Sequence, residues 1–307
     1  MRLIKDILKE ELLELESNIY NNSKSCDIQT GFTIFDNLVG GFKNGELIVM
    51  GGRPAMGTFP LMVKMAYQQA VENKKVVIYS FFEDSQYIIK LLVSIITNID
   101  FKALMNCNVT EEEQLKVKKA FIEIHKLPIF INDNYYLDVP SPINTEAYNS
   151  IETIIADLKL LNKKEDIDMV YIDNLDFLSS SKYHVFPFRE VELGIIFRQL
   201  RGLAKHINTP VYINFSLSNR VEKRGGEKRP WYHDLRNEEQ IIFGEYADLL
   251  LFLWRAEYYG IVEDEDGYSL QERGDVIVAS NRRGFVGDVS LKFSNKTFNF
   301  SNLLEAD

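Results

Sequence analysis

The sequence runs to 307 residues, 46% hydrophobic and 26% charged, which is ordinary globular composition on a chain long enough to bury a sizeable core. A net charge of −10 and a pI near 5.1 exclude bulk electrostatic attraction to nucleic acid, so any DNA contact must come from a local basic patch. No apolar run approaches the roughly 20 residues that span a bilayer. The start of the chain has no signal-peptide core, and Cys26 and Cys107 lack ligand spacing. The expectation is a reducing, cytoplasmic setting with neither zinc site nor disulfide framework.

Apolar residues at 4, 7, 8, 12 and 15, separated by Lys and Glu, predict an amphipathic helix over residues 1–17. Residues 18–27, rich in Asn and Ser, read as a flexible linker. That helix either packs on its own domain or buries its stripe on another surface. Residues 28–307 read as one domain. Short apolar runs at 47–50, 76–82, 129–131, 169–172, 211–215, 249–254 and 276–279 alternate with helical patterns at about 61–73, 86–97, 111–125, 145–162 and 189–207. Such alternation predicts an α/β fold, a mostly parallel twisted sheet with helices on both faces. Runs 276–279 and 289–293 flank Arg282-Arg283-Gly284-Phe285-Val286-Gly287 and predict an antiparallel hairpin at the C-terminal end. The acidic stretch 262–267 reads as a solvated loop.

Between the first strand and the helix after it stands Gly51-Gly52-Arg53-Pro54-Ala55-Met56-Gly57-Thr58-Phe59-Pro60. A glycine-rich turn from strand into helix is the setting of a phosphate-binding loop, because free N–H groups at the helix start cradle phosphate. The working pattern is Gly, four residues, Gly, Lys, then Ser or Thr. Gly52 and Gly57 keep the spacing, with Arg53 and Pro54 between them. Thr58 stands where a lysine would reach the phosphates, and Phe59 where a hydroxyl would hold Mg²⁺. Pro60 offers no N–H. Phosphoryl transfer rests on positioning and charge, and each lost contact of this kind costs on the order of 2–4 kcal/mol. The loop therefore predicts no ATP turnover and weak or no ATP binding. Proline suits a first helical turn, so the fold can outlive the chemistry. Lys64 lies some ~9 Å further along the helix, too remote to substitute.

Thr30-Gly31-Phe32-Thr33, Asp36, Gly40-Gly41-Phe42 and Gly45-Glu46-Leu47-Ile48, followed by Arg53-Pro54-Ala55-Met56-Gly57, resemble the C-terminal ATPase domain of DnaB-type replicative DNA helicases. Asp234-Leu235-Arg236 with Ala247-Asp248, and Asn281-Arg282-Arg283-Gly284 with Gly287, resemble two later motifs of that family, so the resemblance covers about residues 28–300. It implies a RecA-like P-loop NTPase fold, ATP and Mg²⁺ as the family's cofactors, and a homo-oligomer, by family habit a hexamer. Residues 4–16 resemble the family's linker helix, which docks on a neighbouring subunit. No stretch resembles its N-terminal helical domain. By position, Glu83 falls on the glutamate that activates the attacking water, Asp173 on the Walker B aspartate, and Arg282 on the arginine finger. Ser216 replaces the family's nucleotide-sensing glutamine, and Ser280 the lysine paired with the finger. In the DNA loop Arg236 matches, but Asn237, Glu238 and Glu239 replace Glu-Ser-Gly.

Each residue also has a plainer reading. A carboxylate at a strand end can be a helix cap or a solvated terminus, and Arg282 can serve as an intersubunit ion pair. The run Arg220, Lys223, Arg224, Lys228, Arg229 is the best nucleic-acid candidate, with Lys223, Arg224 and Arg236 the expected DNA contacts; a solvated loop is the alternative. Tyr135-Tyr136, Trp231-Tyr232 and Tyr258-Tyr259 can stack on bases, but core or interface is the favoured reading. Four scattered histidines give no metal site. The sequence thus predicts a hydrolysis-deficient family member acting as scaffold or regulator in DNA replication, with single-stranded DNA and replication proteins as candidate partners. An active ATP-driven helicase, or a nucleotide sensor without turnover, is the alternative.

Overall fold

The computed structural model describes residues 27–133, 150–181 and 188–303, and Ile4, Leu8 and Leu12 besides. Those three are helical and exposed. The rest of the expected first helix, nearly all of the linker and Tyr135-Tyr136 lie outside the described residues.

In chain order the described elements are α1 (Thr33–Val39), β1 (Leu47–Gly52), α2 (Thr58–Val71), β2 (Val76–Ser80), α3 (Ser85–Thr97), α4 (Phe101–Met105), α5 (Glu111–Ile124) and β3 (Ile129–Asn132). There follow α6 (Ile151–Glu165), β4 (Met169–Asp173), α7 (Arg189–Ile207), β5 (Val211–Ser216), α8 (Arg220–Lys223), α9 (Asn237–Tyr246), β6 (Leu249–Trp254), β7 (Arg273–Asn281), β8 (Gly287–Phe293) and β9 (Phe300–Asn302). All nine strands form one sheet in the order β3-β2-β4-β5-β1-β6-β7-β8-β9. From β3 to β6 neighbours are parallel; β7, β8 and β9 join antiparallel. The expected parallel sheet and closing hairpin are both there.

The parallel strands read as unbroken apolar runs because both faces are covered. Alternation within β1 divides the core. Ile48 and Met50 face α2 and α3 together with Ile78, Tyr171 and Tyr212. Leu47 and Val49 join Ile172 and Ile213 on the other face, under α6, α7 and α9. Four helices, α1, α4, α8 and α9, and the strand β9 had not been expected. The helix expected at 145–162 is described from Ile151. Its start is fixed by Ser150, whose hydroxyl accepts from the Thr153 N–H at 3.2 Å. The acidic loop carries a single bridge, Glu263 with Ser269, and is exposed as expected.

The order matters for function. Strands β2, β4, β5 and β1 are consecutive neighbours, so their carboxyl ends emerge along one edge of the sheet. In open α/β sheets that edge is where ligands bind.

Candidate functional site

The loop from β1 to α2 turns through two left-handed residues. Gly57 is left-handed at φ 96°, and a Cβ there would come within 3.2 Å of the Phe300 ring. Ala55 is also left-handed, at φ 66°. Its carbonyl accepts from the buried guanidinium of Arg255 (Nη1, 3.2 Å), which stands behind the loop. Arg255 further donates from Nη2 to Asn295 Oδ1 at 2.5 Å and lies 3.9 Å from the Phe293 ring centroid. Arg53, which could have faced phosphate, turns away. Its Nε donates to Glu222 Oε1 at 3.0 Å and its Nη1 to the Leu217 carbonyl at 2.7 Å.

Helix α2 opens with Thr58-Phe59-Pro60, so Pro60 sits in the first turn, where its missing N–H breaks no helical bond. Phe59 packs on Tyr87 of α3, with ring centroids 6.1 Å apart. Phe59 is thus a half-buried apolar ring in the first turn of α2. Lys64 is half-buried too. Its Nζ lies 5.5 Å from the Tyr67 ring centroid, and burial pulls its pKa below the usual lysine range.

Asp173 ends β4 and is 7% exposed. Burial pushes its pKa up to about 6; a hydrogen bond from Asn214 works against this, and the charges of Glu83 and Asp176 add to it. The Asn214 amide donates to Asp173 Oδ1 at 2.8 Å and also approaches Met62 Sδ at 3.6 Å on α2. The Asn214 carbonyl oxygen is buried without a partner. Glu83, just beyond β2, is half-buried and raised above the ordinary glutamate range by burial and by Asp84. Asp84, not Glu83, is the helix cap: its side chain accepts from the Tyr87 N–H at 2.7 Å. The structure brings Glu83 and Asp173 within electrostatic reach of each other. Among the described residues neither forms an ion pair with Lys or Arg, and no three His, Cys, Asp or Glu side chains gather as a metal-binding group. Ser216, at the end of β5, is exposed, and its N–H donates to Asp176 Oδ2 at 3.2 Å.

Arg282 is engaged within its own chain. Its Nε donates to the Ala247 carbonyl at 2.9 Å, and its Nη2 to the carbonyls of Gly244 (3.2 Å) and Glu245. It caps the C-terminus of α9, where a cation complements the helix dipole. Asp248 Oδ1 stands 3.6 Å away. Ser280 is exposed beside an irregularity where β6 pairs with β7.

The basic run is mostly tied down. Arg224 donates to both carboxylate oxygens of Asp234 at 2.9 and 3.1 Å, and also to the Arg229 carbonyl. Arg229 bridges Asp275 (2.7 Å) and Asp288 (2.6 Å). Arg220 donates to the Leu235 carbonyl at 3.0 Å, and Lys228 to the carbonyls of Glu222 (2.9 Å) and Arg224. Lys223 and Arg236 remain exposed, Arg236 standing 3.6 Å from Glu239. Glu239 is buried and accepts from the Arg236 backbone N–H at 2.8 Å, which fixes the start of α9. Trp231 is not core: it is 61% exposed. Asn214 and Arg255 had not been singled out from sequence. A polar residue inside an otherwise apolar strand was the available signal for the first, and an arginine closing a run of six apolar residues for the second.

Comparison with known proteins gives the lineage. The model of the DnaB-like helicase C-terminal domain matches residues 27–302. The replicative DNA helicase DnaB of Rickettsia prowazekii is 28% identical over 322 residues, covering 96% of this chain and 62% of that protein. The probable replicative DNA helicase of Trieres chinensis is 31% identical, with 98% and 62% covered. The chain therefore spans 62% of the length of these relatives. The solved ATPase domain of G40P superposes with a TM-score of 0.82 at 26% identity, covering 97% of this chain and 99% of that one. A DnaB-like replicative helicase solved in a study of its interactions with primase gives 0.80 at 26% identity, with 96% and 66% covered. The nine-stranded sheet is thus the RecA-like ATPase fold of these helicases, and the chain belongs to the DnaB-like helicase C-terminal domain family.

Proposed function

We propose that this chain is a hydrolysis-deficient member of its family that acts as a scaffold or regulator in DNA replication. The observation that carries the reading is the first turn of α2, where Phe59 packs its ring on Tyr87 in the place of a metal-binding hydroxyl. Thr58 beside it brings no cation. These residues do not fit a Mg²⁺–nucleotide, because the groups that would hold the metal and neutralise the phosphates are absent together. Glu83 and Asp173 add negative charge without the cation that would offset it. Self-assembly through the helix bearing Ile4, Leu8 and Leu12, contact with single-stranded DNA through Lys223 and Arg236, and recruitment of replication proteins in the cytoplasm belong to the same proposal. No described helix is long and apolar enough to cross a membrane.

Calorimetric titration of the full chain with ATP and Mg²⁺, alongside a phosphate-release assay, tests it. The expected result is no binding at micromolar concentration and no release above background. Micromolar binding without release would replace this reading with the nucleotide sensor. Sustained release would establish an active motor.

A further inference from the structure

At one end of the sheet β3 pairs, among the described residues, with β2 alone. Its sequence, Ile129-Phe130-Ile131-Asn132, is half-buried and carries no charge. Edge strands are commonly guarded by charged residues, because their outer N–H and C=O groups invite another strand. Beside this edge opens a cleft of about 320 Å³, lined by residues of β2 and β3 and by Asp157, Leu160, Leu161 and Lys164 of α6. Leu160 is 60% exposed, a large apolar side chain left in water beside an apolar strand. Asp157 and Lys164 are exposed too, and among the described residues neither is in an ion pair.

The four α6 positions share one helix face, since 3.6 residues per turn bring i, i+3, i+4 and i+7 together. Along that face stand an acid, two leucines and a base, and the midpoint of the stripe falls between Leu160 and Leu161. A stripe of this kind is complementary to itself when turned end for end. A two-fold axis past the midpoint lays a second α6 antiparallel to the first. Asp157 of each copy then meets Lys164 of the other, and the leucines meet in the middle. The same rotation, taken normal to the sheet, sets the two β3 strands edge to edge and antiparallel, as an isologous contact requires. We propose that the β3 edge and the α6 stripe together form a docking surface for a second copy of this chain. Strand pairing and the leucines supply the affinity, and the charges fix the orientation, because exposed ion pairs add little by themselves. The contact is separate from the helix bearing Ile4, Leu8 and Leu12, and stands whether or not that helix or a nucleotide takes part.

Charge reversal tests it and leaves that helix unaltered. The self-association of the full chain is measured by sedimentation over a concentration series at fixed low salt. Asp157→Lys sets lysine against lysine at both ends of the contact, and Lys164→Asp sets aspartate against aspartate. Each variant alone is expected to associate at least about tenfold more weakly than the parent. Mixed in equal amounts, the two present opposite charges again, and association should return to within roughly threefold of the parent. Thermal melts check folding; should either variant not fold, Leu160→Asp takes its place and must weaken association likewise. A parent that does not self-associate, folded variants that associate like the parent, or a mixture no better than its components would overturn the proposal, the first of these leaving the cleft to a different protein.

Discussion

The Asn214 amide donates a 2.8 Å hydrogen bond to Asp173, and the parallel register of β4 and β5, with Ile172 opposite Ile213, sets the two side by side. One such bond does not offset the burial of a carboxylate, and the Asp173 pKa stands at about 6 against an ordinary 3.8. Because the folded-state value is the higher one, the fold prefers the protonated form. The contribution is fully present below about pH 4 and is lost as pH rises through about 6. Asp173→Asn should therefore raise stability at pH 7 to 8 by roughly 2–3 kcal/mol, and the gain should vanish near pH 4. Paired melts of parent and variant across that range check it; a gain independent of pH would contradict the assignment.

The proposed hydrolysis deficiency predicts the outcome of rebuilding the loop. Thr58→Lys with Phe59→Ser is expected to raise ATP–Mg²⁺ affinity at least about tenfold over the parent. Removing the half-buried Phe59 ring from Tyr87 should cost about 1–2 kcal/mol of stability. Calorimetry and denaturant melts of the same preparation measure both.

Arg282 predicts a loss of stability that needs no partner subunit. Arg282→Ala strips the donor from three carbonyls at the end of α9 and should destabilise the chain by about 1 kcal/mol. Denaturant unfolding at concentrations too low for assembly is the measurement. An unchanged midpoint would show that the cap contributes nothing.

Arg229 and Lys223 should separate cleanly. Arg229→Ala leaves the buried Asp275 short of a cation and should cost about 2 kcal/mol. Lys223→Ala should leave stability unchanged and lower the salt dependence of oligonucleotide binding by a slope of about 1. Melting and salt-titrated binding, run on both variants, check the pair.

Self-assembly is tested by sedimentation. A chain beginning at Ser25 lacks the stripe of Ile4, Leu8 and Leu12, all exposed here, and should sediment at lower mass than the full chain. An unchanged mass would exclude that helix as the contact.

Much of this was legible in the sequence, for identifiable reasons. The parallel strands declared themselves because strands covered on both faces are contiguous apolar runs, and the glycine-rich turn from β1 into α2 because its residues are neighbours in the chain. Helix α9 was missed because Asn237-Glu238-Glu239-Gln240 reads as a polar loop until Glu239 is seen to fold back on the Arg236 N–H. Strand β9 is three residues long and shows no period; Phe300 belongs to the core only through contacts such as that with Phe293, whose ring centroid is 4.6 Å away. The basic run looked free because its partners lie far along the chain: Asp275 and Asp288 come 46 and 59 residues after Arg229. The same distance hid Asn214 from Asp173, 41 residues apart.

Arg255 ties the Ala55 carbonyl to Asn295 and to the Phe293 ring, so the loop is propped from the rear by the protein's own guanidinium. A turn braced in this way keeps its bend through the protein's own contacts. The bend therefore does not depend on the side chains of Thr58 and Phe59 at the front of the loop. The prop also joins the loop to the antiparallel margin of the sheet, where Phe293 ends β8. The turn from β1 into α2 is thus tied through one guanidinium to residues at the far margin of the sheet.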